Sequence, residues 1–293
     1  FEVTIDGVMV DKKDWSLNGT FIFSMNRNKV LDLGSSVESG LLKDARTGME
    51  YEVVGNLSEQ YGSYTNILAI GQPINVFYGY KCDGIIQTLP EGLNAGLSGE
   101  DAMPGEFKYV NTYDGDGTQG VVNENDKCII GDPNPDFLVN LTTAVSYKGF
   151  TLSAFFQSSI GNDIYSLSMA AQAYDYGYNG NTLREVYYNH WSPENPTAKY
   201  PNLDQTSYKM SDRFVYDGSF VRLKNLELAY DVPCARSKFI KRARVYVSAQ
   251  NLFTITSYPF WDPDINANGG GSSMIQGVDS YCYPSARTYT IGW

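Results

Sequence analysis

The sequence predicts an all-β fold in which about nine antiparallel strands form part of a large transmembrane β-barrel. Two observations support this fold class. Apolar and polar residues alternate with a period of two over most of the chain, which is the pattern of strands whose two faces meet different surroundings. Short and long connections also alternate between these strands. That arrangement is typical of outer-membrane barrels, which have short periplasmic turns and long extracellular loops.

Most of the predicted strands follow from their own alternating runs. At the start of the chain, Phe1, Val3 and Ile5 alternate with acidic and hydroxyl residues, and the clearest run begins at Phe137 and ends at Tyr147. A tight turn, YKGF, joins that run to the next one. The predicted strands are, in chain order, about residues 1–10, 14–25, 62–71, 75–86, 136–147, 149–160, 217–232, 243–255 and 284–293.

The lengths of the connections predict which rim of the barrel each one occupies. Polar connections rich in Gly and Asn belong on the extracellular side, and tight turns belong on the periplasmic side. The short turns lie at 10–14, 71–74, 147–150 and 232–242, and the long loops lie at 26–60, 87–135, 161–213 and 257–283.

One strand, DGSFVRLKNLELAYDVP at 217–233, breaks the alternation. Arg222 and Lys224 share the phase of Leu226 and Leu228. A position at the extracellular rim explains the two cations, because a charge costs about 2–4 kcal/mol at the bilayer midplane but almost nothing at the interface. A β-bulge near Lys224 would also reset the phase. An irregular strand of a soluble sandwich explains the cations but not the alternating connections.

A large barrel has a polar lumen, so its apolar side chains face outward. Those expected to face lipid are Val139, Leu141, Val145, Leu152, Phe156, Leu226, Leu228, Ile291 and Trp293. Those expected to face the lumen are Asn140, Thr142, Ser153, Gln157, Asn225 and Glu227. An open sheet would leave two unpaired edges in hydrocarbon. The strands near Phe1–Val10 and Arg287–Trp293 should therefore pair with strands outside this sequence.

Composition and charge exclude several functions. The net charge of −11 argues against nucleic-acid binding. No basic run is long enough for a polyanion patch, and the four cations from Lys238 to Arg244 lie in a turn. The single His190 has no second His or Cys nearby, and no catalytic constellation is found, so no enzyme is expected. Cys82 and Cys128 flank one polar loop and could pair, or could remain free thiols.

Several motifs together resemble the SusC/RagA family of TonB-linked outer-membrane receptors of Bacteroidetes. They are GQPINVFYGYKCDGI (71–85), NENDKCIIGDPNPDF (123–137), VSYKGFTLSAFFQSSIGNDIY (145–165), HWSPENPTAKYPNL (190–203), DGSFVRLKNLELAYDVP (217–233), VYVSAQNLFTIT (245–256) and YPSARTYTIG (283–292). They occur in the order of the family and cover nearly the whole chain. The resemblance implies that residues 1–293 are the C-terminal segment of a barrel of about 22 strands.

The resemblance also implies a function and partners. Members of the family import oligosaccharides or peptides across the cell outer membrane, together with a SusD-like surface lipoprotein that acts as a lid. Energy comes from the TonB–ExbB–ExbD complex through an N-terminal region. The plug and the TonB box of the family are absent from this sequence, and the chain stops at Trp293, whereas the family usually runs on to a terminal Phe.

Two groups of residues are candidate sites. The family typically has a D-x-N-x-D-G run near 111–126, which is close to a calcium loop, so Asp114, Asp116 and Asp126 are candidate calcium ligands. Thr112 stands at the first ligand position, and an ordinary Asp-Gly turn is the alternative. Loop aromatics could stack on sugar rings or on the lid, or could pack loops together. The candidates are Tyr174, Tyr176, Tyr178, Trp191 and Trp261.

Three functions are consistent with these patterns. The first is a segment of an active nutrient importer. The second is a soluble β-rich module that binds glycans or acts as an adhesin. The third is a passive porin, which shares the barrel but has no plug. No cofactor other than calcium is expected, and the imported ligand is not identified by the sequence.

Overall fold

The computed structural model describes residues 1–34, 41–56, 64–115, 117, 119–174, 181–204, 209–234, 239–265 and 275–293. Most elements in these ranges are strands. The strands are β1 (Glu2–Asp11), β2 (Trp15–Ser24), β3 (Leu42–Lys43), β4 (Glu50–Asn56), β5 (Tyr64–Ala69), β6 (Val76–Gly79), β7 (Cys82–Ile85), β8 (Phe107–Tyr109), β9 (Cys128–Gly131), β10 (Phe137–Tyr147), β11 (Phe150–Ile160), β12 (Asp163–Ser166), β13 (Val215–Asp217), β14 (Phe220–Val232), β15 (Ala243–Thr256), β16 (Val278–Asp279) and β17 (Thr288–Gly292). The helices are α1 (Leu89–Asn94), α2 (Leu167–Tyr174) and α3 (Arg184–Tyr188).

The largest sheet has seven strands in the order β1-β2-β10-β11-β14-β15-β17, and every neighbouring pair is antiparallel. We call this sheet the wall. It is open, because β1 and β17 lie at its two edges and each pairs with one described strand. The all-β fold class, with the wall as a piece of a β-barrel, is confirmed.

The connections of the wall alternate between short and long as the sequence predicts, except that the turn predicted at 71–74 lies inside the first long connection. Three of them are short, at residues 12–14, 148–149 and 233–242, and we call this side of the wall the turn edge. The other three connections, at 25–136, 161–219 and 257–287, are long, and together they form the loop body. At the turn between β10 and β11, Lys148 and Gly149 both have positive φ, which is the geometry of a two-residue hairpin turn whose twist suits the strands.

The wall has one apolar and one polar face, as predicted. Cross-strand partners share a face, and the register pairs Leu141 with Phe156 and Leu152 with Leu228 on the apolar face. On the opposite face, Asn140 pairs with Gln157. Many apolar side chains are exposed on the first face, among them Leu141, Val145, Leu152, Leu228, Val247 and Ile291. A sheet with exposed apolar residues on one face and polar residues on the other fits lipid outside and a lumen inside.

The predicted number of wall strands is wrong. The segments predicted at 62–71 and 75–86 do not join the wall. They form β5, β6 and β7 in the loop body, where β3-β4-β5-β6-β9 make a five-stranded sheet and β7 pairs with β8. β5 and β6 are buried along almost their whole length and do not alternate as the wall strands do. A short apolar run indicates a strand, but it does not indicate which sheet that strand joins.

A β-bulge at Lys224 explains the irregular strand β14. Asn225 pairs with Phe155 and Leu223 with Phe156, so Lys224 has no counterpart in β11. The register toward β15 shifts at the same place. The extra residue reverses the phase of the strand before it, and Arg222 therefore lies on the polar face, level with Gln157.

The loop body has its own hydrophobic core. Phe77, Tyr165, Val186, Phe214 and Val278 are almost completely buried and belong to one cluster contributed by all three long connections. A short three-stranded sheet, β13-β12-β16, joins the second and third connections. The loop body is thus a packed structure at one end of the wall. The longest helix in the described part of the chain has eight residues, which is too short to cross a membrane.

Candidate functional site

The loop body is attached to the polar face of the wall at one row of side chains. Asn140, Gln157, Arg222 and Thr254 are successive cross-strand partners on β10, β11, β14 and β15. Arg222 donates from Nε to Thr254 Oγ1 at 2.9 Å. This row lies toward the loop-body end of the wall, so it marks where the lumen side meets the long connections.

Arg222 anchors the third long connection to the wall. Its guanidinium is 1% exposed and forms an ion pair through Nη2 with Asp262. Nη1 donates to Asp264 Oδ2 at 3.2 Å and to Ser285 Oγ at 3.3 Å. Both ends of the 257–287 connection therefore meet on one buried cation. Of the two explanations that the sequence offers for Arg222, the β-bulge near Lys224 is confirmed, and a place on the membrane-facing side at the interface is wrong, because the bulge turns Arg222 inward.

Asp262 is held as a carboxylate in this anchor. Burial alone would raise its pKa, but the backbone N–H groups of Ser285 and Asp264 donate to it, and Arg222 adds a hydrogen bond and its charge. Together these interactions lower the pKa of Asp262 below its ordinary value. The sequence alone does not indicate the ion pair between Asp262 and Arg222, because the two residues are far apart in the chain.

A cleft of about 380 Å³ in the loop body is lined by one of the predicted aromatic residues. Trp261 is 59% exposed beside Phe260, with ring centroids 5.3 Å apart, and Tyr216 lies on the same cleft. Its polar lining includes Glu185 and Lys199, which form an ion pair at 3.0 Å. The hydrogen bond from Lys199 lowers the pKa of Glu185, so this carboxylate is charged at neutral pH. An exposed indole beside charged hydrogen-bonding groups is a surface on which a ring with both apolar and polar edges can bind.

The other predicted aromatics are in different situations. Trp191 is half-buried and donates from Nε1 to Gln87 Oε1 at 2.9 Å. Its ring lies so close to Gly105 that a Cβ on that glycine would be 2.7 Å from it. Trp191 therefore packs loops together in the described structure. Tyr176 and Tyr178 lie outside the described residues, as does the side chain of Tyr174, the last residue of α2.

The acidic turn at 111–126 is organised by backbone N–H groups. Asp126 is completely buried; its Oδ1 accepts from Thr112 N at 2.6 Å and Tyr113 N at 2.9 Å, and its Oδ2 accepts from Asn123 N at 2.7 Å. Asp114 Oδ1 accepts from the side chain of Asn111 and from Gly120 N, both at 2.8 Å.

Calcium at this turn stays a prediction. Asp116 lies outside the described residues, and no group of three carboxylate, His or Cys side chains suited to a metal occurs among the residues that the structure describes. The described contacts of Asp114 and Asp126 are those of a hydrogen-bonded turn, in which carboxylate oxygens close the backbone.

The remaining candidate groups have simple surroundings. His190 Nδ1 lies 2.5 Å from Tyr187 O. Cys82 and Cys128 are both free thiols. Burial raises the pKa of Cys82 to about 11 and also raises the pKa of Cys128, so both thiols are protonated at neutral pH.

Comparison with known proteins gives the following relatives. No family model matches the chain. It is 33% identical over 299 residues to TonB-dependent receptor P3 of Formosa agariphila, a match that covers 100% of this chain and 28% of the relative. It is 26% identical to TonB-dependent receptor SusC of Bacteroides thetaiotaomicron, covering 99% of this chain and 25% of that protein.

A solved structure of the RagAB peptide transporter has a similar fold. The TM-score is 0.73 at 22% sequence identity, with 99% of this chain and 28% of that chain covered. The RagAB peptide importer in the "open-open" state matches with a TM-score of 0.69. The chain therefore spans between a quarter and three tenths of the length of these relatives.

Proposed function

We propose that this chain, which is a segment of a SusC/RagA-type TonB-dependent receptor, forms part of the wall and of the extracellular surface of a nutrient importer in the bacterial outer membrane. The observation that carries the proposal is the wall itself. One face exposes apolar side chains along seven antiparallel strands, the other is polar, and short turns alternate with long connections. In this arrangement the turn edge faces the periplasm and the loop body faces outward.

The whole receptor works with two partners in this proposal. A SusD-like lipoprotein closes over the loop body and traps ligand, and the TonB–ExbB–ExbD complex acts on the part of the receptor that this chain lacks. Lid closure followed by TonB-driven opening would move the ligand inward. Oligosaccharides are the ligand class that we favour, and peptides are the alternative. This segment contributes a wall and a docking surface, with no chemical step assigned to it.

A rigid attachment between loop body and wall fits such a role. Ligand capture by a hinged lid needs a base that does not move with the lid. The buried Arg222–Asp262 pair holds the third long connection to β14 and β15. The shared core of the three long connections holds them to one another.

The experiment that tests the importer uses the full-length receptor in its own cells. Deletion of the receptor gene should abolish growth on its ligand, and deletion of TonB should have the same effect. A pull-down of the tagged receptor from outer membranes should recover a surface lipoprotein. Uptake that survives loss of TonB, with no lipoprotein recovered, would favour a passive porin. A protein that stays in solution without detergent would favour a soluble glycan-binding module.

Trp261 is the proposed ligand contact of this segment. Its indole offers a flat apolar surface for a sugar ring, and Glu185 beside it is a charged acceptor for hydroxyl groups. Trp261→Ala should weaken ligand binding about tenfold, or about 1.4 kcal/mol. Tyr283→Ala is the matched control, because Tyr283 is 92% exposed in the same connection and does not line the cleft. If the Trp261 variant and the wild type bind the ligand with equal affinity, Trp261 is not a ligand contact. The importer proposal would still stand, because uptake does not depend on this one contact.

A further inference from the structure

The three short turns form one continuous edge. Lys148 N donates to Asp14 O at 2.9 Å, which joins the second turn to the first. Asp231 N donates to Gly149 O at 2.9 Å, which joins the end of β14 to the second turn. Residues far apart in sequence therefore lie next to one another along the turn edge.

This edge is basic although the chain is acidic. Residues 11–14, 148–149 and 231–242 hold seven of the 22 Lys and Arg residues of the chain and three of its 33 Asp and Glu residues, namely Asp11, Asp14 and Asp231. The five of these cations that the structure describes are all exposed. None of the five forms an ion pair with a carboxylate of the described residues. They are Lys12, Lys13, Lys148, Lys241 and Arg242.

A row of aromatic side chains lies directly above these cations on the apolar face. Trp15 pairs with Tyr147, Tyr147 with Phe150, and Phe150 with Tyr230, so the row crosses four adjacent strands. The Phe150 and Tyr230 rings are 4.5 Å apart. Aromatic rows of this kind mark the level at which a membrane protein passes from hydrocarbon to headgroups.

The cations reach the same level as the aromatic row. Lys12 Nζ lies 6.0 Å from the centre of the Trp15 ring, and Lys148 Nζ lies 5.3 Å from that of Tyr147. A cleft of about 820 Å³ at the same edge is lined by three cations, Lys241, Arg242 and Arg244, by one carboxylate, Asp231, and by Trp293. Cations that lie next to an aromatic row at the membrane interface are at the depth of the lipid headgroups.

We propose that the turn edge binds the headgroups of anionic phospholipids, such as phosphatidylglycerol, in the leaflet that it faces. The inference rests on the proposed function in one respect, namely that the wall spans a membrane. Each basic residue near an anionic surface strengthens binding about fivefold. Several such residues on one edge would hold the wall at a fixed depth and select anionic over zwitterionic lipid around it.

The test uses the purified full-length receptor in nanodiscs made from equal amounts of phosphatidylglycerol and phosphatidylcholine with identical acyl chains. After gentle release into detergent, native mass spectrometry counts the lipids that stay bound. The wild type should retain phosphatidylglycerol at least fivefold over phosphatidylcholine. The variant Lys12→Gln, Lys13→Gln, Lys148→Gln, Lys241→Gln, Arg242→Gln should lose most of this preference, because two of the seven cations, Arg236 and Lys238, remain.

A matched control removes the same number of exposed cations from the loop body. It is Lys29→Gln, Lys43→Gln, Arg46→Gln, Lys81→Gln, Arg287→Gln, and it should keep the preference of the wild type. If the five-residue turn variant does not assemble, the pair Lys241→Gln and Arg242→Gln, which lies outside the strands, should lower the preference several-fold.

Four results would overturn the proposal. The first three are an unchanged preference for phosphatidylglycerol in the turn variants, an equal loss of that preference in the loop-body control, and no preference in the wild type. The fourth is full displacement of phosphatidylglycerol by millimolar inorganic phosphate, which would assign the edge to a free anion. Failure of the importer proposal looks different, because a soluble module would not enter nanodiscs and would retain neither lipid.

Discussion

Replacing Arg222 with Met should loosen the third long connection from the wall. The change removes the guanidinium and leaves Asp262, which is 7% exposed, without its cation. Breaking one partner of a buried ion pair costs about 3–5 kcal/mol. Asp262 keeps the backbone N–H groups of Ser285 and Asp264 at 2.9 Å each. The loss of local stability should therefore lie at the lower end of this range, at about 3 kcal/mol.

Hydrogen exchange on the full-length receptor in detergent measures this loss at the affected residues. The amides of Ser285 and Asp264 donate to Asp262 and are released when the connection opens. Their exchange should accelerate by about a hundredfold, as a change of about 3 kcal/mol requires. Adding Asp262→Asn to Arg222→Met should recover about 2 kcal/mol, because the uncompensated charge is then gone.

Arg244→Met is the control for this prediction. Arg244 pairs with Glu227 at 3.1 Å, but the two side chains are 46% and 29% exposed. An exposed pair contributes less than about 1 kcal/mol, so the exchange at Ser285 and Asp264 should not change. The reasoning is refuted if Arg222→Met leaves the exchange of both amides as in the wild type, or if Arg244→Met accelerates it equally.

Three further predictions concern the wall and the loop body. Leu141→Arg, at the middle of β10 on the apolar face, should cost about 2–4 kcal/mol and lower the yield of assembled receptor on heat-shift gels, whereas Thr142→Arg on the other face should not. Equal yields would contradict the assignment of the faces. Deleting Lys224 should remove the bulge and turn Arg222 to the apolar face, so outer-membrane yield should fall; a normal yield would argue against the bulge. The third concerns Asp163, where burial raises the pKa above its ordinary value of 3.8. The folded state thus binds the proton more tightly, and local stability falls as the pH rises from about 3.8 through the higher folded value. Asp163→Asn should abolish this decrease in hydrogen exchange measured against pH, and a decrease that persists would point to another group.

Much of the wall could be predicted from local patterns. The period of two finds all seven strands, and the break at Arg222 and Lys224 indicates the bulge that the structure contains. The segments that form β5, β6 and β7 are misplaced, because a short apolar run indicates a strand but not the sheet that it joins. Alternation therefore predicts a strand well, but not the sheet to which that strand belongs.

The functional details depend on contacts between distant residues, which is why the sequence shows few of them. Arg222 and Asp262 are separated by 40 positions, and each looks like an ordinary charged residue in its own segment. The basic edge is likewise divided among three turns, and only the cluster from Lys238 to Arg244 is visible as a run. The exposure of Trp261 and the partial burial of Trp191 also depend on tertiary packing, since both lie in similar polar loops.

The pairing of β2 with β10 affects how such a protein can change over evolutionary time. Ser24 and Leu138 are cross-strand partners in the wall, although the whole connection at 25–136 lies between them. Adjacent strands are about 5 Å apart, so a connection of almost any length can leave at one point and return at the other without altering the register. Insertions, deletions and exchanges in this connection are therefore separated from the membrane-facing part of the chain. A lineage can acquire a new outer surface while it inherits an unchanged wall.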